Sequence, residues 1–476
     1  MMRGILSAAG YVPYRRLSRQ AVAAFLGSSG GTGTRAVAGY DEDTTTMAVE
    51  AARLALRAAP AAAPDALWFA TTTPAYLDKT NAATVHAALR LRSEVPALDF
   101  GGSLRSGIGA LSSALGGSGT TLVAVADLRD GLPGGQDETA GGDGAAAVVV
   151  GDDGPGTPLL AEYLGGASAT DEFVDRWRAP GERRSKVWEE RFGETRYLAL
   201  GRDAVERALK AAGVDARDVG GLVVTGMHAR AVAALAGRLP VPAGALVDDL
   251  GSSVGQTGAA HPALVLSAAL EVAPPGRVLV VVHLADGADA LVLRTTEAVA
   301  RWAPPRPVAA QVAAGADLPY ARFLAWRQML EPEPPRRPEP TRVSTPAAWR
   351  AQDWKFGFVG SRDRSSGAVH LPPARVSMRG GAVDDMEPLP MSDARGTIAT
   401  YTIDRLAYSP SPPVVFAVVD FDGGGRFPLE LTDVDAEALS VGQRVEMTFR
   451  RLSSADGIHN YFWKGRPLRS TDGGDR

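Results

Sequence analysis

The sequence contains no cysteine among its 476 residues. This absence excludes a disulfide framework, a thiolate nucleophile and any cysteine-bound metal. Long apolar runs are also missing, because glycine, proline or a charged residue interrupts every stretch of about 18 residues, and we expect no membrane span. The apolar segment that follows Met1 is too short for a signal peptide, which predicts a cytoplasmic location.

A strong charge of either sign is missing as well. The chain carries 50 basic and 54 acidic residues, a net charge of −4. This balance offers no electrostatic basis for binding nucleic acid or an anionic membrane surface. A length of 476 residues exceeds what one hydrophobic core usually supports, so we expect two or three domains.

What the sequence does contain, up to about residue 325, is an alternation of short apolar runs with alanine-rich helical patterns. Thr44 to Ala58 reads as a helix, and four runs read as buried strands: 66–70, 122–126, 221–225 and 278–282. Each half of this region ends in an Asp-Gly-Ala turn, at Asp143 and at Asp286, that leads into an apolar strand. The pattern predicts two similar α/β halves in a layered fold.

The composition changes after residue 325. We predict a proline-rich linker at 326–350, because proline lacks a backbone donor and fixes φ. The period-two patterns in the remaining sequence indicate about five short strands, which favour a small barrel. We assign 351–392 to a preceding segment, 393–468 to the barrel and 469–476 to a disordered tail.

Several motifs in the first 325 residues occur in the order and spacing of a known family. They include Gly10-Tyr11-Val12-Pro13, Gly142-Asp143-Gly144-Ala145 and Gly255-Gln256-Thr257-Gly258. On these motifs the region resembles the thiolase superfamily, nearest to the 3-hydroxy-3-methylglutaryl-CoA synthase and ketoacyl synthase III branch. The resemblance implies a duplicated α-β-α-β-α layered fold.

The later run Phe356-Gly357-Phe358-Val359-Gly360, followed by 367–376, resembles the OB-fold domain that accompanies thiolase-type enzymes. In that family a rubredoxin-like zinc ribbon precedes the barrel. The four cysteine positions read Asp363, Ser366, Ser377 and Gly380 here. Even with His370 nearby, these residues do not supply a tetrahedral zinc set, so we expect a degenerate ribbon without zinc.

The condensing enzymes of the family attack a thioester with a cysteine about five residues after the aspartate that corresponds to Asp99. That count reaches Leu104, which cannot be acylated. Ser103 is a candidate nucleophile if a strong base lies beside it. The alternative is that this segment is a helix start retained for packing. The general acid/base glutamate of the synthase branch corresponds to Thr72, which cannot take that role.

Three further residues are candidates by resemblance. His228 matches the catalytic histidine of the ketoacyl synthases, and a core histidine with a satisfied partner is its alternative interpretation. Gln256 matches their asparagine and can still donate a hydrogen bond to a thioester carbonyl or enolate. His283 lies in a loop that is close to the catalytic thiol in the synthases, whereas we interpret His261 as structural.

These observations leave two main hypotheses for function. The first is an enzyme that forms or cleaves a C–C bond of an acyl-CoA by aldol-type chemistry, which needs acid/base groups and an enolate-stabilising site but no acyl-enzyme. The second is a non-catalytic scaffold or substrate-bridging subunit of a thiolase-type complex. A third hypothesis is a protein that binds acyl-CoA but neither catalyses a reaction nor bridges subunits. By resemblance we expect a coenzyme A thioester as substrate, no cofactor, and a homodimer or a hetero-oligomer with a thiolase-type subunit.

Overall fold

The structure, a computed structural model, describes residues 2–29 and 31–469. The first half of the N-terminal domain contains, in chain order, β1 (Arg3–Tyr11), β2 (Arg15–Ser18), α1 (Arg19–Phe25), β3 (Thr34–Val37), α2 (Thr44–Ala58), β4 (Ala66–Thr71), α3 (Ala82–Ala88), β5 (Ala97–Gly101), α4 (Ser106–Leu115), β6 (Thr121–Asp127), α5 (Gln136–Thr139) and β7 (Gly144–Asp152).

The second half contains β8 (Ala161–Thr170), β9 (Arg176–Trp177), β10 (Lys186–Val187), α6 (Glu190–Ala212), β11 (Val219–Gly226), α7 (Ala229–Arg238), α8 (His261–Val272), β12 (Val278–Leu284) and β13 (Gly287–Thr295). It is followed by α9 (Val308–Ala313), β14 (Ala316–Asp317), α10 (Tyr320–Trp326), α11 (Thr345–Arg350) and α12 (Gln352–Lys355). No helix in the described part of the chain is both long and apolar enough to cross a membrane.

Local sequence explains where α2 begins. The Asp43 side chain accepts a hydrogen bond from the Thr46 backbone N–H, and the Thr46 hydroxyl lies against the Asp43 backbone N–H in return. This reciprocal capping satisfies two backbone donors that have no partner within the helix. Almost all side chains of the first three turns are buried, so α2 is an internal support of the sheet rather than a surface helix.

The strands of the two halves join in one nine-stranded sheet with the order β11-β12-β13-β8-β1-β7-β6-β4-β5. β4 runs parallel to β5 and β6, and β11 runs parallel to β12, while β7 and β13 are antiparallel to their neighbours. The halves meet where Gly4 and Ile5 of β1 pair with β8. Because each half contributes a similar set of strands, the duplication predicted from the sequence is confirmed.

Two helices form the middle of the molecule. α4 packs against β4, β6 and β7, whereas α8 packs against β1, β7 and β11, and the two helices contact each other. α2 covers one outer face, and α6 and α7 cover the other. This arrangement gives the α-β-α-β-α layering that the sequence predicts, and it brings the loops at the carboxyl ends of β4, β5, β11 and β12 to one region.

The C-terminal part contains β15 (Val359–Asp363), β16 (Val369–His370), β17 (Met386–Pro390), β18 (Arg395–Asp404), β19 (Val414–Phe421), β20 (Arg426–Leu431), β21 (Arg444–Ala455) and β22 (Ile458–Pro467). The last five close into a barrel with the order β18-β19-β20-β22-β21. The predicted small barrel is therefore confirmed.

Parts of the predicted linker and of the predicted tail have defined contacts. α11 lies at the end of the segment predicted as a linker and has Pro346 in its first turn. Arg469 is the first residue of the predicted tail: its guanidinium donates to the Asp433 carbonyl and stands 3.6 Å from the ring centroid of Tyr14. Residues 470–476 of that tail lie outside the described residues.

Buried ion pairs hold the barrel against the layered domain. Arg450 in β21 has a fully buried side chain that lies 3.0 Å from the Glu42 carboxylate and donates to the Tyr11 hydroxyl. Lys464 and Arg466 in β22 reach Asp41 at 3.0 Å and Glu50 at 3.3 Å. The barrel supplies the cations of these pairs and the loop before α2, together with α2, supplies the carboxylates.

Candidate active site

A cavity of about 1140 Å³ opens where the loops after β4, β5, β11 and β12 converge. The loop before α6, residues 175–190, forms its remaining wall. Ligands of open α/β sheets bind outside the carboxyl ends of the strands, and this cavity occupies such a position. The position of each candidate residue relative to this cavity therefore decides what that residue can do.

Ser103 and Leu104 both line the cavity, between β5 and α4. The Ser103 hydroxyl lies 3.4 Å from the Ser106 hydroxyl, which itself donates to the Gly101 carbonyl. A hydroxyl is not a base strong enough to activate another hydroxyl. Within the described residues Ser103 has no imidazole or carboxylate partner, and this contact supports its interpretation as part of a helix start.

His228 also lines the cavity, but both of its ring nitrogens contact the main chain. Nδ1 accepts a hydrogen bond from the Ala231 N–H at 3.1 Å, which makes His228 the N-cap of α7. Nε2 therefore carries the proton and donates it to the Glu190 carbonyl at 2.9 Å. The ring can shape the cavity wall, whereas neither nitrogen is available to a substrate in this arrangement.

His283 lies behind the cavity wall, at the end of β12. Its Nδ1 is 2.9 Å from the Thr225 hydroxyl and its Nε2 is 3.2 Å from the Leu104 carbonyl. Burial lowers the pKa of His283 to about 4, so the ring is neutral at pH 7. His283 thus fixes the main chain at Leu104, the position where the resemblance in sequence implies a nucleophile.

Gln256 lies outside the cavity lining. Its backbone N–H donates to the Ala140 carbonyl and its carbonyl accepts from the Gly142 N–H, both at 3.0 Å. Nearby, His261 is fully buried and its Nδ1 accepts from the Thr257 N–H at 3.2 Å. Burial lowers the pKa of His261 to about 3. Of the four candidates, the structure brings Ser103 and His228 to the cavity and leaves His283 and Gln256 outside its lining.

Thr72, at the position of the family's glutamate, takes part in a closed polar network. Its hydroxyl lies 2.9 Å from one carboxylate oxygen of Asp127, and the Ala259 N–H donates to the other oxygen at 2.8 Å. Arg129 donates to the Thr72 hydroxyl at 3.2 Å. The carboxylate of Asp127 is fully buried and fully hydrogen-bonded, so it does not replace the missing glutamate.

The cavity also has an acidic region whose residues were not among the candidates from the sequence. Asp175, Tyr197 and Asp286 all line the cavity. Burial raises the pKa of Asp175 and of Asp286, and it raises the pKa of the Tyr197 hydroxyl, which stays protonated. Asp286 belongs to a turn motif visible in the sequence, whereas no motif surrounds Asp175, and only the fold brings it to the cavity.

Arginine side chains line the cavity next to these acids. Arg129 and Arg176 both donate to one oxygen of Asp137, at 2.6 and 2.5 Å. Arg178 donates to the Thr72 carbonyl, and Arg183 joins it in the lining. Guanidinium groups bind phosphate and carboxylate oxygens well, so this wall suits an anionic group.

The positions of the family's zinc ligands form a hydrogen-bonded cluster beside β15. The Asp363 carboxylate accepts a hydrogen bond from the Ser366 hydroxyl. This hydrogen bond and then the one from the Ser377 hydroxyl lower the pKa of Asp363 to about 2. His370 accepts from the Met378 N–H at 3.0 Å. One carboxylate and two hydroxyls do not fit the nitrogen and sulfur set that tetrahedral zinc prefers. Among the described residues, no three His, Asp or Glu side chains form a group able to hold a metal ion.

Comparison with known proteins gives three kinds of match. A family model described as the C-terminal OB-fold domain of ChsH2 matches residues 390–450. The hydroxymethylglutaryl-CoA synthase of Pyrococcus furiosus is 29% identical over 294 residues, which are 60% of this chain and 83% of that protein. A DUF35 domain-containing scaffold protein of Methanocaldococcus jannaschii is 24% identical over 128 residues, 26% of this chain and 90% of that protein.

Among solved structures, a crystal structure of HMG-CoA synthase complexed with CoA superposes with a TM-score of 0.59 at 16% sequence identity. The match covers 72% of this chain and 95% of that one. At this identity the likeness concerns the fold, and it agrees with the layered architecture.

Proposed function

Because this chain joins a thiolase-superfamily domain of the hydroxymethylglutaryl-CoA synthase type to an OB-fold domain, we propose that it forms or cleaves a C–C bond in an acyl-CoA thioester without a cysteine nucleophile. The observation that carries the proposal is the open cavity at the strand ends, lined by Leu104, by carboxylates and by arginines. A collapsed cavity would have favoured a purely structural role.

The residues at the cavity limit the class of reaction. Leu104 cannot form an acyl-enzyme, and Ser103 lacks a neighbouring base. Aldol-type chemistry needs only a group that moves a proton and donors that stabilise an enolate. Carboxyl groups at the cavity can supply the first, and main-chain N–H groups near the start of α4 can supply the second. We propose a coenzyme A thioester as substrate, with no bound metal.

A specific observation also favours a scaffold subunit as second candidate. His228, the family's catalytic histidine, has both ring nitrogens bound to the main chain, and Thr72 and Leu104 replace the reactive residues. The similarity to a DUF35 scaffold protein is compatible with such a role. In this case the chain would act together with a thiolase-type partner subunit or with a second copy of itself.

Calorimetric titration with acetyl-CoA tests the enzymatic proposal. We expect binding with a Kd between about 1 µM and 1 mM, the range of ordinary enzyme substrates. Leu104→Trp, which fills the cavity, should weaken binding by about tenfold or more, equivalent to about 1.4 kcal/mol. Leu406→Trp on the exposed barrel surface is the matched control and should leave the Kd unchanged.

Turnover distinguishes the enzyme from the scaffold. The enzymatic proposal expects the chain to cleave 3-hydroxy-3-methylglutaryl-CoA or another 3-hydroxyacyl-CoA, with the shorter acyl-CoA detected by chromatography. Failure of acetyl-CoA to bind would remove this proposal. An increase in the turnover of a thiolase-type partner, without acyl-CoA binding by this chain, would establish the scaffold.

A further inference from the structure

One carboxylate in the cavity wall has an oxygen without a hydrogen-bond partner. Asp175 lies immediately before β9, and its side chain is buried, with 4% of the residue surface exposed. Oδ1 of Asp175 makes no hydrogen bond to any described residue. A buried carboxylate oxygen without a protein partner costs free energy, and at a cavity wall such an oxygen indicates a functional role.

Neighbouring residues show that this carboxylate is held in place. The Asp175 carbonyl accepts from the Trp188 N–H at 2.8 Å, which fixes the main chain across the loop. Gly193 of α6 faces the side chain: a Cβ at Gly193 would stand 2.2 Å from Asp175 Oδ1 and 3.0 Å from His228 Cδ2. Any larger residue at 193 would displace the carboxylate, and the carboxylate and the imidazole share one small space.

Other groups around this space are less suited to proton transfer. Both nitrogens of His228 are bound to the main chain. The Tyr197 ring packs edge-on against His228, with centroids 5.8 Å apart, and its hydroxyl interacts with Asp175. Asp127, the other buried acid near the cavity, has both oxygens bonded. Of these groups, Asp175 is the carboxylate that lines the cavity and keeps an oxygen without a hydrogen-bond partner.

We propose that Asp175 is the acid/base catalytic residue of this cavity, with Tyr197 as the residue that positions its carboxylate, and that the substrate is a 3-hydroxyacyl-CoA or its cleavage products. This inference rests on the proposed function. It adds to that function the group that moves the proton, a role that falls on none of the residues which the family resemblance identifies.

The reaction balances without a further reactant. In the cleavage direction, the Asp175 carboxylate takes the proton of the substrate 3-hydroxyl, and the O–H electron pair forms the C3 carbonyl. The C2–C3 bond breaks, and its electron pair becomes the enolate of the shorter acyl-CoA. Protonated Asp175 then returns the proton to C2, which gives a carbonyl compound and an acyl-CoA. The condensation proceeds by the same steps in reverse.

Charges around Asp175 suit this role. Burial raises the pKa of its carboxyl group, although the nearby His228 and Arg176 and a hydrogen bond from Tyr197 act in the opposite direction, while Asp286 adds to the increase. A base with a raised pKa accepts a proton more readily than an ordinary aspartate. We expect the rate to rise with pH through an ionisation above the usual aspartate range.

Hydrogen exchange at C2 of acetyl-CoA isolates the proposed step. The full-length protein is incubated with acetyl-CoA in D2O, and deuterium incorporation is followed by mass spectrometry while calorimetry measures binding. Asp175→Asn should slow exchange by about 100-fold or more, the usual contribution of a general base, with the Kd changed less than about threefold. Asp175→Glu should retain part of the rate, and Tyr197→Phe should slow exchange and shift its pH midpoint.

Asp171→Asn is the matched control, because Asp171 lies on the same loop, pairs with Arg196 and does not line the cavity. The Asp171→Asn variant should catalyse deuterium incorporation into acetyl-CoA at the wild-type rate. If Asp175→Asn catalyses exchange at the wild-type rate, or if the wild type binds acetyl-CoA without catalysing exchange, the proposed role of Asp175 is overturned. Either result leaves the proposed binding of acyl-CoA unaffected. Absence of binding by the wild type would overturn the proposed function and the role together. If Asp175→Asn does not fold, a wild-type pH profile without an ionisation above the usual aspartate range overturns it.

Discussion

At the residue scale, the loop around Leu104 is held by contacts that involve no reactive side chain. His283 contacts the Leu104 carbonyl, and α4 begins two residues after Leu104. The Thr72 hydroxyl contacts Asp127, which holds the end of β4 against β6. The loop therefore depends on main-chain and supporting side-chain contacts that do not require a thiol.

This conclusion predicts that a cysteine placed at 104 is reactive. In Leu104→Cys the thiol would lie near the N-terminus of α4, whose dipole lowers a thiol pKa. We expect alkylation by iodoacetamide at pH 7 to be about tenfold faster than at an ordinary exposed cysteine. Intact-mass measurement follows the reaction without ambiguity, because the chain has no other cysteine.

Leu77→Cys supplies the comparison, since Leu77 is 89% exposed. Equal alkylation rates for the two variants, with midpoints near the ordinary thiol pKa, would show that the loop no longer activates a nucleophile. Accumulation of an acetylated Leu104→Cys protein after incubation with acetyl-CoA would be the stronger positive result.

Sequence patterns could identify these positions only in part. His228 and Ser103 could be placed near the cavity from motifs that follow a strand or precede a helix, and they line it. The hydrogen bonds that occupy both nitrogens of His228 could not be foreseen, because Glu190 is 38 residues away in the chain. Asp175 lies in an irregular loop without periodicity, and only the packing of α6 against β8 brings it to the site.

At the element scale, a polar cluster holds together the segment before the barrel. β15 pairs with β16 and β17 around the cluster of Asp363, Ser366 and Ser377. Hydroxyl donors from the serines satisfy the Asp363 carboxylate. The cluster gives the segment a pH dependence of its own.

We predict that this segment does not depend on zinc but depends on the ionisation of Asp363. The folded-state pKa of Asp363, about 2, is below its ordinary value of 3.8. The stabilisation is therefore complete above about pH 4 and decreases as the pH falls toward 2. Asp363→Asn should speed proteolytic cleavage within 364–385 at pH 7, and a chelator should have no effect on the wild type.

Limited proteolysis with mass spectrometry measures both effects. Asp385→Asn, at a half-exposed carboxylate of the same segment, is the control and should resemble the wild type. A chelator that accelerates cleavage of the wild type would contradict this prediction, because it would mean that a metal stabilises the segment.

At the scale of the whole molecule, the buried ion pairs couple the two domains. Arg450, Lys464 and Arg466 have almost no exposed side-chain surface, and their partners Asp41, Glu42 and Glu50 are equally buried. Removal of one member would leave a buried charge without its counter-charge, which is costly in a medium of low dielectric constant. The layered domain and the barrel should therefore unfold together.

We predict that Arg450→Met lowers the free energy of unfolding by about 3–5 kcal/mol, as expected for breaking a buried ion pair. Arg426→Met, which removes an exposed pair with Asp420, should change it by less than about 1 kcal/mol. Chemical denaturation followed by tryptophan fluorescence measures both values. Separate transitions for the two domains in the wild type would contradict the coupling.

The sequence by itself determined the layered fold, the barrel and the loss of thiol chemistry, because apolar periodicity, turn motifs and residue identity are local properties. It also placed α2, since the helical pattern of 44–58 lies within one stretch of chain, whereas the structure identified Asp43 as its cap. Only the tertiary structure decided which polar groups share the cavity and which are already bonded. Those contacts join residues far apart in the chain, and burial there shifts the pKa values of the groups. The sequence therefore shows that the cysteine is absent, whereas only the fold shows that Asp175 lies at the cavity.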